Sequence, residues 1–168
     1  DLSVTLDGVT IKPSLALGSW AAFQPMGDEA MVMGDLVLTH DEVNPVLSRL
    51  LASGFTITAL HNHLLRSSPA TMYMHIAGHG DPVKLAAALR QALSASRTPL
   101  AAPQSPSASA AASRLDLDVA ALNRLMGGEG KTAGGILQYS FPRAERLMDG
   151  DMETPPTMGT ATAINFQP

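Results

Sequence analysis

The stretch FTITALHNHLLRSSPATMYMHIAGHGDPVKLAAALRQAL, residues 55–93, decides the fold. Residues 55–64 and 71–77 have the composition of strands, and the serines and proline of 66–69 between them predict a turn. Asp81-Pro82 then supplies a capping side chain and a residue already fixed at helical φ, and leucines follow at every fourth position. The stretch therefore predicts a β-hairpin followed by an amphipathic helix.

The residues before this stretch predict more strands and a second helix. Strand patterns cover 2–6, 9–11, 20–23 and 31–38, and Asp7-Gly8 has the composition of a hairpin turn. A helical apolar stripe follows, formed by Val43, Val46, Leu47, Leu50 and Leu51, with Gly54 as its predicted stop. Its start is open between Asn44-Pro45 and a capping box of Thr39 with Glu42. This order favours an α+β two-layer sandwich, a mainly antiparallel sheet with helices packed on one face.

Composition excludes several classes of function. The 168 residues carry a net charge of −4 and only 11 lysines and arginines, which are scattered, so no nucleic-acid-binding surface is expected. No apolar run approaches the roughly 20 residues of a membrane-spanning helix, so no transmembrane segment is expected in this chain. Because the chain has no cysteine, any metal site must be built from imidazole and carboxylate groups.

The chain is predicted to contain an internal repeat. Residues 1–96 form an α+β unit, 97–113 a Pro/Ala/Ser-rich linker, and 114–168 the opening of a second copy. Asp7-Gly8 aligns with Asp149-Gly150, and the FQP at residue 23 aligns with the FQP at residue 166. We expect either that the natural protein is longer than this sequence or that this chain is a processed piece of it. An incomplete copy would expose strand edges, which predicts self-association or a protein partner, unless the tail strand completes the first sheet.

Several motifs carry a family resemblance. MGDLVLTHDEVNPVL, TALHNHLL and YMHIAGHGDP, together with GGILQYSFPRAE and INFQP, resemble the bacterial LppY/LpqO lipoprotein family. The resemblance covers most of the chain except the linker, and members of that family resemble two tandem copies of one domain of unknown function. It implies an extracytoplasmic protein, periplasmic or lipid-anchored in its full-length form.

Four of the five histidines fall between residues 59 and 80. Alternate strand residues share a face, so Phe55 and Ile57 are expected to point the same way as His61 and His63 and to place these imidazoles at the end of a buried face. A hairpin register that pairs residue 61 with 75, and 63 with 73, would bring His75 to the same side. A slip of one residue would send His75 to the opposite face.

This cluster predicts a divalent metal site, with zinc as the example, and hydrolytic chemistry through metal-bound water. His61, His63 and His75 are the predicted ligands, and either His79 or Glu42 could complete the set or act as a general base. The alternative is a non-catalytic binding or structural subunit whose histidines bond backbone carbonyls. Nitrogens that lie within about 4 Å of one centre would favour the metal site.

Overall fold

The computed structural model describes residues 2–100 and 115–168. In chain order its elements are β1 Thr5–Leu6, β2 Val9–Thr10, α1 Pro13–Ala16, β3 Trp20–Met26, β4 Glu29–Thr39, α2 Val43–Ala52, β5 Thr56–His61, β6 Ser67–Ser68, β7 Thr71–Gly80, α3 Pro82–Leu93, α4 Val119–Met126, β8 Lys131–Ala133, β9 Ile136–Phe141, β10 Met148–Asp149, β11 Met152–Glu153, the 3-10 helix η1 Pro156–Met158 and β12 Thr162–Phe166. No helix in these ranges has the length and hydrophobicity needed to cross a membrane.

These residues form two compact units. Unit 1 takes in the described part of 1–10, Gly18–Leu100 and Thr157–Gly159. Unit 2 takes in Ile11–Leu17, the described part of 101–156 and Thr160–Pro168. The predicted domains 1–96 and 114–168 stay predictions, and most of the predicted linker, 101–113, lies outside the described residues.

Unit 1 is built on a four-stranded antiparallel sheet with the strand order β3-β4-β7-β5. Helices α2 and α3 pack on one face of this sheet and enclose the main core. The buried residues of this core are Val32, Leu36, Leu38, Val43, Val46, Leu50, Phe55, Met74, Ile76, Leu89, Ala92 and Leu93. Each fully buried aliphatic side chain stabilises the fold by about 1.5–3 kcal/mol. The predicted α+β architecture, with helices on one face of a mainly antiparallel sheet, is confirmed.

The long central strands β4 and β7 separate this core from the opposite face of the sheet. Leu36 pairs with Met74 on the helix-covered face, and the next pair, Asp35 with His75, points the other way. Gly78 lies on the helix-covered face, where an added Cβ would lie 3.2 Å from the Leu85 side chain of α3. Glycine at this position therefore lets α3 approach the sheet closely.

The ends of α2 and α3 follow the sequence signals in part. Helix α2 begins at Val43 with Glu42 as its N-cap residue and no side-chain cap, so neither predicted start is the observed one. The Glu42 carboxylate still accepts a hydrogen bond from the Thr39 backbone N–H at 2.9 Å, as the predicted Thr39–Glu42 pair required. Gly54, just beyond α2, has a φ of +84°, a left-handed conformation that favours glycine. At α3, the Asp81 carboxylate accepts hydrogen bonds from the backbone N–H groups of Val83 and Lys84.

The predicted hairpin register is wrong by two residues. His61 pairs with Tyr73, and His75 pairs with Ala59. The strand pairing shifts between Ile57 and Ala59, which is the signature of a β-bulge. Because the bulge reverses the alternation, Ile57 stays on the helix-covered face and His61 points to the opposite face. The expectation that His61 shares a face with Phe55 and Ile57 is therefore also wrong.

A second, smaller sheet in unit 1 has the order β2-β1-β6. Asp7 and Gly8 connect β1 and β2, and both have positive φ, as a tight hairpin turn requires. Two residues of the predicted turn at 66–69 form β6, which pairs with β1. The Asp7 carboxylate also accepts a hydrogen bond from Nε of Arg66 at 2.8 Å, so this ion pair links the turn to the connection that follows β5.

Unit 2 contains a three-stranded antiparallel sheet of order β12-β9-β8 and a separate hairpin of β10 with β11. Helix α4 ends at Met126, and its C-cap residue Gly127 has a φ of +73°, a left-handed conformation that favours glycine. The hydroxyl of the buried Tyr139 in β9 donates a hydrogen bond to Oδ1 of Asn123 in α4 at 2.7 Å. The tail strand β12 pairs with β9 and thus does not complete the first sheet.

The order of elements around the aligned motifs recurs. The hairpin β1–β2 around Asp7-Gly8 is followed by the short helix α1 and by β3, which contains Phe23. The hairpin β10–β11 around Asp149-Gly150 is followed by η1 and by β12, which ends at Phe166. The tandem repeat itself stays a prediction.

Candidate functional site

Three histidines meet on the face of the unit 1 sheet opposite α2 and α3. His75 lies in β7, His61 is the last residue of β5, and His63 follows two residues later. Cross-strand pairing places His61 beside Tyr73, one step along the same face from His75. The two-residue error in the predicted register leaves this result intact, because a shift by two residues preserves the face.

The imidazole nitrogens of the three histidines converge. One ligand atom from each of His61, His63 and His75 lies within 4.8 Å of the other two. The centre of such a triangle is at most about 2.8 Å from each nitrogen, so each ring has to move inward by about 0.7 Å to reach a zinc–nitrogen distance of about 2.1 Å. This arrangement satisfies the geometric criterion that favours a metal site.

Aromatic packing holds the rings in place. The His63 ring stacks on Tyr73 with a centroid distance of 3.8 Å and an interplanar angle of 10°, and Tyr73 is only 1% exposed. The rings of His61 and His75 lie 4.9 Å apart at 18°, so a shared ligand requires them to tilt toward one centre. Burial raises the pKa of the Tyr73 phenol, and the negative charge of Asp35 acts in the same direction. Tyr73 is therefore a neutral, fixed surface under the cluster.

The cluster is open to solvent on one side, and the surroundings of His63 favour the neutral form of its imidazole. His61 and His63 are exposed, and His75 is half-buried. Partial burial lowers the pKa of His63; the positive charges of His61 and His75 act in the same direction, whereas Asp35 opposes them. A metal ion binds the neutral imidazole, so a lowered pKa reduces the competition from protons near pH 7.

The alternative role for these histidines was to satisfy backbone carbonyls. Within residues 2–100 and 115–168, the imidazoles of His61, His63 and His75 make ring contacts, and His75 also faces a carboxylate. No hydrogen bond to a backbone carbonyl holds any of the three within those ranges. Their nitrogens are therefore available to a ligand.

Asp35 is a neighbour of the cluster that the sequence analysis missed. It pairs with His75 across β4 and β7, and its Oδ2 atom lies 3.9 Å from Nε2 of His75. The residue is 8% exposed, and its buried Oδ1 atom has no hydrogen-bond partner. The one available signal was a lone carboxylate inside the apolar strand MVMGDLVLT, residues 31–39. The strand order needed to place it beside His75 was not evident from the sequence.

Two predicted site residues lie outside the converging group. Glu42 accepts hydrogen bonds from the backbone N–H groups of Thr39 and Arg97, so both its oxygens are engaged in holding the start of α2. His79 lies 3.5 Å from Glu29 and shares the face of His75, but its ring is not part of the cluster. The structure therefore gives the Glu42 carboxylate two backbone N–H partners and His79 a neighbouring carboxylate, and it joins neither residue to the three histidines.

Residues 1–95, more than half of the chain, match the sequence profile of a family described as Domain of Unknown Function (DUF1259). The chain belongs to this family. All three clustered histidines and Asp35 lie within the DUF1259 domain. No curated protein and no solved structure matches the chain. The family description assigns no activity, so the function has to be argued from the chemistry of the cluster.

Proposed function

We propose that this DUF1259 domain binds one divalent cation, such as zinc, through His61, His63 and His75. The convergence of three imidazole nitrogens within 4.8 Å of one another carries the proposal. Imidazole is the side chain that zinc and other first-row metals prefer when no thiolate is present, and the chain has no cysteine. Three protein ligands are also the number found in catalytic zinc sites, which keep one position open.

The open side of the cluster supports a hydrolytic role. With His61 and His63 exposed, water and a substrate can reach a cation held at their tips. A zinc ion held in this way lowers the pKa of a bound water to about 7 and polarises a carbonyl or phosphoryl oxygen. Tyr73 is buried beneath His63 and would keep that imidazole oriented while a substrate approaches from solvent.

The resemblance to the LppY/LpqO lipoproteins supports a cellular location for this domain. We propose that the domain acts outside the cytoplasm, periplasmic or lipid-anchored in a full-length protein with two copies of the domain. Fractionation of bacteria that produce the full-length protein tests this location. Recovery with the envelope fraction is expected, and recovery with the cytoplasmic fraction would overturn it.

Metal analysis tests the binding proposal. The untagged protein is purified without chelator and its metal content is measured by mass spectrometry, beside a His61→Ala/His63→Ala variant and a His79→Ala variant. His79 is the matched control, because it lies on the same strand as His75 but outside the cluster. One equivalent of metal is expected in the wild type and in the control, and little in the double variant. Equal metal in all three proteins, or none in the wild type, would overturn the proposal.

Hydrolysis is tested separately from binding. The zinc-loaded wild type and the His61→Ala/His63→Ala variant are compared on carboxylic ester and phosphoester substrates. Activity that requires the two histidines and survives His79→Ala is expected. If the wild type retains zinc but hydrolyses neither carboxylic esters nor phosphoesters, the domain binds metal without hydrolytic activity and the hydrolytic role is refuted.

A second candidate, a protein-binding subunit, is favoured by the edge strand β3. Trp20 and Phe23 of this strand are each 39% exposed, and an open strand edge can pair with another chain. Sedimentation of the wild type and of a Phe23→Lys variant tests this role. Association that the variant abolishes would support it, and a monomeric wild type would exclude self-association through this edge.

A further inference from the structure

The buried carboxylate of Asp35 extends the metal centre beyond its three ligands. We infer that Asp35 is a positioning residue that accepts a hydrogen bond from Nε2–H of His75 and so directs Nδ1 of that ring to the cation. The inference rests on the proposed metal site. It adds Asp35 to that site and assigns the Nε2–H tautomer to His75. It is carried by the burial of Asp35, its pairing with His75 and, among the residues that the structure describes, the lack of a hydrogen-bond partner for its Oδ1 atom.

The first argument is the cost of burying this carboxylate. Asp35 is 8% exposed, and its Oδ1 atom has no hydrogen-bond partner. A carboxylate removed from water is destabilising unless a positive charge or hydrogen-bond donors compensate it. Within the part of the chain that the structure describes, the one ion pair that includes Asp35 is with His75. A cation held by the histidines would supply the missing positive charge beside this carboxylate.

The second argument is the place of Asp35 beside the cluster. Asp35 and His75 face each other across neighbouring strands, where Cβ atoms are about 4.5–5.5 Å apart. The His75 nitrogen that faces the carboxylate is Nε2. The converging group contains His61, His63 and His75 and does not include Asp35. Asp35 therefore lies beside His75 at Nε2, where it can orient the ring and leave Nδ1 to the cation.

The third argument is the size of the movement required. Oδ2 of Asp35 and Nε2 of His75 are 3.9 Å apart. A hydrogen bond between them needs an approach of about 1 Å, since N–H···O bonds are about 2.9 Å long. That movement is of the same order as the inward shift that coordination demands of each imidazole. A metal-bound histidine commonly donates its other ring N–H to a carboxylate, and loss of that partner weakens metal binding by about 10- to 100-fold.

Zinc affinity measured by competition with a chromophoric chelator tests the inference. The proteins are the wild type, Asp35→Asn and, as a matched control, Asp28→Asn in the exposed turn between β3 and β4. Asp35→Asn should still bind one equivalent of zinc, about 10- to 100-fold more weakly than the wild type. Asp28→Asn should match the wild type. Equal affinity of the wild type and Asp35→Asn would overturn the role of Asp35, whereas a wild type that binds no zinc would overturn the metal site itself.

Nitrogen-15 NMR and the visible spectrum of the cobalt-loaded protein distinguish an Asp35 that positions His75 from an Asp35 that binds the metal itself. Nitrogen-15 NMR of the zinc-loaded wild type, with His75 assigned by His75→Ala, should show a proton on Nε2 and metal at Nδ1. This measurement needs no Asp35 variant, so it holds even if Asp35→Asn fails to fold. With cobalt in place of zinc, the visible spectra of the wild type and of Asp35→Asn should have the same shape, because the ligand set is unchanged. Metal at Nε2, or a changed ligand number in Asp35→Asn, would contradict the inference.

Discussion

The Glu42→Gln substitution should destabilise the fold and leave the metal site intact. In the structure Oε2 of Glu42 accepts the Thr39 backbone N–H at 2.9 Å, and Oε1 accepts the Arg97 backbone N–H at 2.8 Å. The Glu42 side chain is 11% exposed. One carboxylate therefore ties the end of β4, the start of α2 and the segment after α3 together, and both backbone donors depend on it.

The loss can be estimated from these bonds. Glutamine keeps one acceptor oxygen but turns an N–H₂ group toward the other backbone N–H, so one charge-assisted hydrogen bond is lost. Such a bond contributes about 1.5–3 kcal/mol, and the bond that remains becomes weaker because the charge is gone. The Arg97 guanidinium also contacts Glu42, but that side chain is 75% exposed and contributes little. We expect the free energy of unfolding of Glu42→Gln to fall by about 2–3 kcal/mol.

Urea unfolding followed by circular dichroism measures this loss. The control is Asp41→Asn, because Asp41 is 79% exposed and its contacts with the Arg97 guanidinium at 3.7 Å and with the Thr39 side chain lie at the surface. A change within about 0.5 kcal/mol is expected for the control. Glu42→Gln should retain its zinc stoichiometry. A Glu42→Gln protein as stable as the wild type, or one that folds normally and loses its metal, would refute this structural role of Glu42.

The contribution of Glu42 to the free energy of unfolding should depend on pH. Burial alone raises the pKa of Glu42, but hydrogen bonds from Thr39 and Arg97 outweigh it and hold that pKa below its ordinary value. A carboxylate with a lowered pKa stabilises the fold above its unfolded pKa of about 4.3, and this contribution is lost as the pH falls through the folded pKa. The difference in unfolding free energy between the wild type and Glu42→Gln should be full at pH 7 and shrink below about pH 4.

Three further predictions follow from the two faces of the sheet. Tyr73→Leu removes the ring on which His63 stacks, so zinc affinity should fall by about 2- to 10-fold in a chelator competition, whereas Tyr73→Phe should keep the stacking contribution. Zinc affinity should fall steeply as the pH drops below the range in which His63 is neutral, because protons compete for the imidazoles; a flat pH profile would contradict histidine ligation. Leu50→Ala should lose about 2–5 kcal/mol in urea unfolding and keep its zinc, since Leu50 is fully buried on the helix-covered face.

Local signals in the sequence were sufficient for α2, α3 and the four strands of the main sheet of unit 1. The two helices follow from apolar side chains at helical spacing, and the start of α3 follows from the short-range cap at Asp81, signals that depend only on residues within a few positions. The turn at Asp7-Gly8 likewise depends on local backbone conformation. Such features are set by neighbouring residues, which is why one sequence was enough to predict them.

Features that depend on distant residues were harder to predict. The bulge between Ile57 and Ala59 reverses the faces of β5, and no residue type marks it in the sequence. The histidine cluster was predicted because His61, His63 and His75 are close in sequence and the register error preserved their face. Asp35 was missed, because its place beside His75 follows from β4 pairing with β7, a contact between residues 40 positions apart.

X-ray absorption at the zinc K edge shows which atoms surround a zinc ion in the protein, purified metal-free and loaded with one equivalent of zinc. We expect three imidazole nitrogens at about 2.0–2.1 Å and one oxygen ligand from water. The histidine contribution should disappear in His61→Ala/His63→Ala and persist in His79→Ala. A zinc ion surrounded only by oxygen, or imidazole ligation that survives the double substitution, would contradict a metal centre at His61, His63 and His75.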